Sequence, residues 1–169
     1  MLNIAVPRAR LWLNWLAICL GCLVSSSVFA EVLLGTVIAV HDGDTITLRT
    51  ESNIKKIRLA GIDAPELKQT YGLESRSLLR EAVLNKSVLV ETSRNDKYGR
   101  VIGKVTLDGT DINLKQIQLG GAWVYRAYIK ELSKEDRAAY IAAEAQSKDI
   151  AVGLWKDLNP VEPWIWRKK

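Results

Sequence analysis

A small closed β-barrel of OB type, α+β in class, with five strands and about three flanking α-helices, is the architecture this chain should adopt. Three patterns point there. Short segments rich in β-branched residues, several of them alternating apolar with polar positions, recur between residues 32 and 107. Polar and glycine-containing turns separate them, among them Asp42-Gly43, a strong hairpin signal. Stretches with helical spacing are few, one after the third strand and the others beyond the fifth.

The elements follow in order. Residues 1–30 carry the three-part layout of a secretory signal peptide. Arg8 and Arg10 form a positive region, an apolar run extends from Leu11 to Val24, and Val28-Phe29-Ala30 offers a small-residue cleavage site before Glu31. The apolar run is shorter than the roughly 20 residues of a spanning helix, so cleavage ranks ahead of an uncleaved anchor. Cys19 and Cys22 lie inside this run, which makes their C-x-x-C spacing a weak redox or zinc signal. The expected product is exported, periplasmic or secreted, and free of stable membrane association once the signal is removed. Residues 31–169 are then long enough for a single domain with a tryptophan-rich C-terminal tail, and too short to argue for two.

Val32–Val40 reads as a buried strand interrupted by Gly35, and Thr45–Leu48 resumes alternation after the Asp42-Gly43 turn. A third strand runs from Ile54 to Ala60, with Ile57 and Leu59 on one face and Lys56 and Arg58 on the other. From Gly72 to Asn85 the period changes, and Leu78, Leu79, Ala82 and Val83 form a helical stripe. Ser87–Glu91 and Val101–Leu107 read as two further strands. Asn113–Leu119 is a short helix closed by Gly120-Gly121, and Trp123-Val124-Tyr125 is extended. Ser133 opens an S-x-x-D start for an alanine-rich helix reaching about Lys148. The tail, with prolines and three tryptophans, has no period; it should pack over the domain surface, with Arg167-Lys168-Lys169 solvated.

Composition restricts the chemistry. Without Arg8 and Arg10, 22 basic residues face 19 acidic ones, a formal charge of +3 in place of +5. That is mildly basic and does not itself imply a polyanionic partner. His41 is the one histidine and no cysteine follows residue 30, so paired-histidine catalysis, thiol catalysis and Cys/His zinc sites are excluded. His41, beside a hairpin turn, fits a structural or solvent-facing role. P-loop, G-x-S-x-G and G-x-G-x-x-G sequences are absent.

Carboxylate and guanidinium chemistry remains. Asp42, Asp44 and Asp63 offer the oxygen ligands that Ca2+ or Mg2+ require. The EF-hand pattern fails after D-x-D, so any such site must be assembled from separate loops. Arg58 and Arg100 are candidates for phosphate, because a guanidinium presents paired donors and stays charged. Glu66, just after Pro65, has the chemistry of a general base for water. Taken singly, each has a bland explanation: Asp42-Gly43 as a hairpin turn, the arginines as surface residues, Glu66 as a solvated loop glutamate.

The conjunction is more specific. Asp44, Arg58, Asp63, Glu66 and Arg100 lie within VHDGDTITL, IRLAGIDAPE and DKYGR, and in this order the motifs resemble the thermonuclease family of staphylococcal nuclease-like domains. The resemblance continues through EAQSKDIAVGLW and covers roughly residues 32–156. It implies an OB-type barrel that hydrolyses DNA and RNA with Ca2+, without sugar specificity, breaking the bond to the 5′ oxygen and leaving 3′-phosphate ends. Carried over by motif, Asp44 and Asp63 would bind the metal through their side chains and Ala64 through its carbonyl. Arg58 and Arg100 would hold the scissile phosphate and Glu66 would be the base. Lys97, Tyr98, Trp123 and Tyr125 would contact substrate, the aromatics by stacking, although packing on the barrel rim explains those aromatics equally well.

Two departures touch substrate preference. The loop LKQTYGLE is shorter and less lysine-rich than in the best-known members, and Trp123 stands where they carry a tyrosine. The competing expectation is a non-catalytic nucleic-acid-binding OB-fold module of the cell envelope. Such a module should have lost at least one of the five motif residues, and all five are present. A monomer suffices for everything above.

Overall fold

A computed structural model describes residues 31–168. The expected signal peptide, with Cys19 and Cys22, lies outside the described residues, as does Lys169.

Five strands close into a barrel: β1 (Val32–Val40), β2 (Thr45–Arg49), β3 (Ile54–Leu59), β5 (Ser87–Asn95) and β6 (Val101–Leu107). β1 pairs antiparallel with β2 and with β5, β2 with β3, and β5 with β6. The parallel pair β3–β6, with Ile57 opposite Val101 and Leu59 opposite Gly103, closes the ring. Closure removes the open edges that a flat sheet of these strands would present.

Alternation builds the interior. Val37, Ile46, Leu48, Ile57, Leu59, Val88, Val90 and Val105 are buried, while Lys56 and Arg58 lie on the outer face of β3. Gly35 continues β1 instead of ending it, because a Cβ there would meet the Arg49 carbonyl at 2.5 Å. Strands β1 and β2 coil too closely at that point for any side chain.

Three helices pack outside the barrel: α1 (Gly72–Val83), α2 (Ile112–Gln118) and α3 (Lys134–Asp149). Asp111 caps α2 by accepting from the Leu114 N–H, and Ser133 caps α3 by accepting from the Asp136 N–H. Asp111 belongs to β7 (Thr110–Asp111), a short strand added to β6. Buried Asn113 donates to the carbonyls of Ala60 and Gly103 and accepts from the Val105 N–H, which ties α2 across the β3–β6 seam.

Two details go beyond the sequence expectation. Strand β5 runs four residues past Glu91, through the polar Thr92–Asn95. Pairing with Ile102 and Val101 of β6, after a bulge, holds this segment extended despite its composition. The tail also gains order: a 3₁₀ turn at Gly153–Lys156 and a single helical turn, α4 (Pro163–Trp166), with Pro163 at its start.

Candidate active site

The site grows from the β1–β2 turn. Asp42 accepts from the Asp44 N–H at 3.0 Å, closing a tight Asx turn. Gly43 sits beneath α1, where a Cβ would collide with Ser75 Oγ and Ala64 Cβ. Buried Gln116 of α2 donates to the Gly43 carbonyl at 2.8 Å and to that of Ser75 at 3.1 Å. Asp44 therefore leaves a turn clamped by two helices, and its backbone carbonyl accepts from the Leu59 N–H at 2.8 Å.

Asp63 arrives from the other side. It belongs to β4 (Ile62–Asp63), which pairs with β8 (Trp123–Val124), Asp63 lying opposite Trp123. Buried Glu144 of α3 fixes that ladder by accepting from the Val124 N–H at 2.8 Å. Asp63 is only 1% exposed.

Arg58 bridges the two aspartates. One terminal nitrogen lies 3.0 Å from Asp44 Oδ2 and the other 2.7 Å from Asp63 Oδ1. The same guanidinium donates to the Ile62 carbonyl at 2.9 Å, so its orientation is fixed by both charge and backbone. Asp44 Oδ2 also accepts from the Ala64 N–H at 2.6 Å. Burial, the largest influence, pushes the Asp44 carboxyl up to about 8, and neighbouring Asp42 and Asp63 push the same way. Arg58 and the Ala64 N–H oppose that rise.

Glu66 stands half-buried at the mouth, beyond Pro65. Its backbone N–H donates to Gln69 Oε1 at 3.2 Å. The side chain accepts from Arg167 at 2.8 Å. Arg167 also donates to Asp63 Oδ2 at 2.7 Å. The expected solvated tail is thus corrected at Arg167, which reaches back to join the carboxylate cluster. Its bond to Asp63 is the largest of the influences that keep it charged.

Arg100 faces the same cavity from the β5–β6 turn. Asp96 organises that turn: it accepts from the backbone N–H groups of Tyr98 and Arg100 and, at 2.7 Å, from Arg100 Nε. Burial raises the Asp96 carboxyl, but these hydrogen bonds outweigh it and hold the group below the ordinary aspartate value. The Arg100 guanidinium lies 5.6 Å from the centre of the Tyr98 ring and Lys97 lies 5.0 Å from it, as cation–π contacts. Tyr98 is 72% exposed.

One open cavity of about 980 Å³ gathers Asp44, Arg58, Asp63, Glu66, Arg100 and Arg167, with Lys97, Tyr98 and Tyr125 on its rim. Ala64 is buried and does not line it. Trp123 does not line the cavity; it is buried edge-on against Trp155, with ring centres 5.3 Å apart. Tyr125 stacks on Trp164 of the tail at 5.6 Å. His41 shares a 2.8 Å hydrogen bond with Thr47 Oγ1 and takes a structural position.

Sequence reasoning missed Arg167, Gln69 and the organising part of Asp96. Asp96 lies within the DKYGR motif, and its hold on the turn emerges only once Tyr98 and Arg100 fold back onto it. No local signal marks Arg167, whose partners Glu66 and Asp63 lie 101 and 104 residues earlier.

The donor set suits a divalent cation. Asp44 and Asp63 are two buried carboxylates facing one cavity; the neighbouring Asp63 raises the cost of ionising Asp44, and a cation would relieve it. Among the described residues no group of three or more His, Cys, Asp or Glu side chains is placed to hold a metal ion. A hard ion would draw on these two carboxylates and on water, within the oxygen coordination that Ca2+ accepts.

Residues 56–157 match the sequence profile of a family described as "Staphylococcal nuclease homologue". An uncharacterized endonuclease of Escherichia coli is 39% identical over 136 residues, 80% of this chain and 85% of that protein. The micrococcal nuclease of Shigella flexneri is 35% identical over 143 residues, 79% of this chain and 80% of that protein. The staphylococcal-like nuclease CAN1 of Arabidopsis thaliana is 38% identical over 113 residues, 67% of this chain and 33% of that longer protein.

Proposed function

The chain belongs to the staphylococcal nuclease family and is a nucleic-acid hydrolase, and on that premise we propose that it is a Ca2+-dependent endonuclease acting on DNA and RNA and leaving 3′-phosphate ends. The observation that carries this reading is the Asp44–Arg58–Asp63 bridge, which faces one cavity with Glu66 and Arg100.

Asp44 and Asp63, with the Ala64 carbonyl that the family resemblance assigns, would hold the cation, which would supply positive charge to offset that of the phosphate. Arg58, already fixed by two carboxylates and a carbonyl, presents a preorganised positive charge to the scissile phosphate. Arg100 approaches from the opposite rim. Glu66 takes a proton from water as the water oxygen bonds to phosphorus. The bond from phosphorus to the 5′ oxygen breaks, and that oxygen leaves to gain a proton. Because water is the nucleophile, the sugar 2′-hydroxyl has no part in the step, which accounts for action on both DNA and RNA. Lys97, Tyr98 and Tyr125 contact the flanking nucleotides.

The same reading takes the protein to be exported, periplasmic or secreted, and monomeric. Among the described residues no helix is long and apolar enough to cross a membrane. The test is hydrolysis of single-stranded DNA, duplex DNA and RNA with Ca2+, with Mg2+ and with a chelator, followed by end-group analysis. Calcium-dependent cleavage with 3′-phosphate products is expected. Folded protein that binds nucleic acid but cleaves in no metal would instead be an envelope binding module.

A further inference from the structure

We propose that the C-terminal segment forms a wall of the active site and that Arg167 is a positioning residue for Glu66 and Asp63. This rests on the assignment of Glu66 as the base.

Arg167 spans both carboxylates with one fork. Its Nη2 donates to Asp63 Oδ2 at 2.7 Å, and its Nη1 to Glu66 Oε1 at 2.8 Å and Asp63 Oδ1 at 3.3 Å. With Arg58 this makes an alternating series, Asp44–Arg58–Asp63–Arg167–Glu66, in which each carboxylate meets a guanidinium. Glu66 is the most exposed of the three acids, its side chain 39% exposed. A flexible exposed carboxylate has many rotamers, and a base must hold one of them within reach of its water.

The segment delivering Arg167 is tied to the domain at two further points, and a third bond closes its own turn. Trp164 stacks on Tyr125, with the ring planes 20° apart. The Arg167 N–H donates to the Pro163 carbonyl at 3.0 Å, closing the turn that aims the side chain. Gln69, buried, accepts from the Glu66 N–H with its oxygen and donates to the Val161 carbonyl with its nitrogen. One side chain thus ties the backbone of the base to the tail, and Arg167 ties the side chain of the base to the same tail. A detachable plug would not require the buried amide.

The test compares full-length parent, Arg167→Ala and Arg167→Lys. For Arg167→Ala, kcat should fall by about 10- to 100-fold with KM changed less than about threefold. Lysine is a point charge without the fork, so Arg167→Lys should recover part of the loss. The Glu66 carboxyl carbon resonance should move in Arg167→Ala and return partway in Arg167→Lys, a readout that does not depend on turnover. Calcium affinity, measured without substrate, should rise by less than about tenfold, since Arg167 also contacts Asp63. A more active Arg167→Ala that binds calcium tenfold tighter or more would make Arg167 an inhibitory latch and overturn the proposal. So would an unmoved Glu66 resonance. Absence of cleavage by the parent in any metal would instead overturn the nuclease reading beneath it, with the resonance still deciding whether Arg167 orients Glu66.

Discussion

The two arginines expected to hold phosphate sit in opposite settings. Arg58 projects from a barrel strand, its side chain 11% exposed, and bonds to two buried carboxylates and to backbone. Arg100 ends a surface turn and bonds to Asp96 four residues back, in the same turn. One side of the cavity is made by long-range packing of β2, β3, β4 and two helices. The other is a local turn whose geometry a single aspartate sets. Arg58 is therefore bound up with folding as well as chemistry, while Arg100 should be separable from the fold.

Substitution of Arg58 puts that contrast under the greatest stress. Arg58→Ala strips buried Asp44 of its guanidinium and leaves Asp63 with Arg167 alone, and should cost about 3–5 kcal/mol of stability. It should also lower turnover by about 10²–10³-fold. Urea denaturation and single-turnover cleavage would measure the two, and an unaltered unfolding midpoint would refute the coupling. Glu66→Gln lies between the walls. It should retain calcium binding and the native midpoint while turnover falls by about 10²–10⁴-fold. Equal activity in mutant and parent would remove Glu66 from the mechanism.

Arg100→Ala should lower turnover by about 10²–10³-fold, more than it weakens substrate affinity. Its stability should stay within about 0.5 kcal/mol of the parent. A loss of stability matching that of Arg58→Ala would erase the distinction between the two sides. Tyr98→Ala, further out on the same turn, should weaken binding of a short single strand by about 1–3 kcal/mol and leave kcat nearly unchanged. Fluorescence anisotropy with an inactive Glu66→Gln background would read it directly.

The smallest effect expected is in pH. Burial pushes the Asp44 carboxyl up, so protons should compete with the cation for this group as pH falls. Calcium affinity should rise with pH, by at most about tenfold per pH unit, and level off once Asp44 is ionised. Calorimetry in buffers of different ionisation enthalpy would count the released proton. Affinity independent of pH between 6 and 9, as a test range of roughly three units, would mean that Arg58 already keeps Asp44 ionised.

Much of this architecture could be read from residues alone because its causes are local. Alternation in Thr45–Leu48 and Ile54–Leu59 sets which side chains enter the barrel, and that same alternation puts Arg58 outside. Asp42-Gly43 makes its turn through neighbours two residues apart. The motif set Asp44, Arg58, Asp63, Glu66 and Arg100 does line one cavity. Burial of Trp123 was not legible, because it depends on Trp155 from a distant turn. Nor was the extension of β5 into Thr92–Asn95, where pairing with β6 overrides a polar composition.

Arg167 marks the limit most clearly. Its neighbours in sequence are two lysines and a tryptophan, a setting that reads as a solvated end. Its partners Glu66 and Asp63 lie 101 and 104 residues earlier. Periodicity and turn chemistry act over a few residues and carry no information across that span. The packed tail and the buried Gln69 settle it, because a charge is placed by where the whole chain brings its segment, and the paired carboxylates are what it meets there.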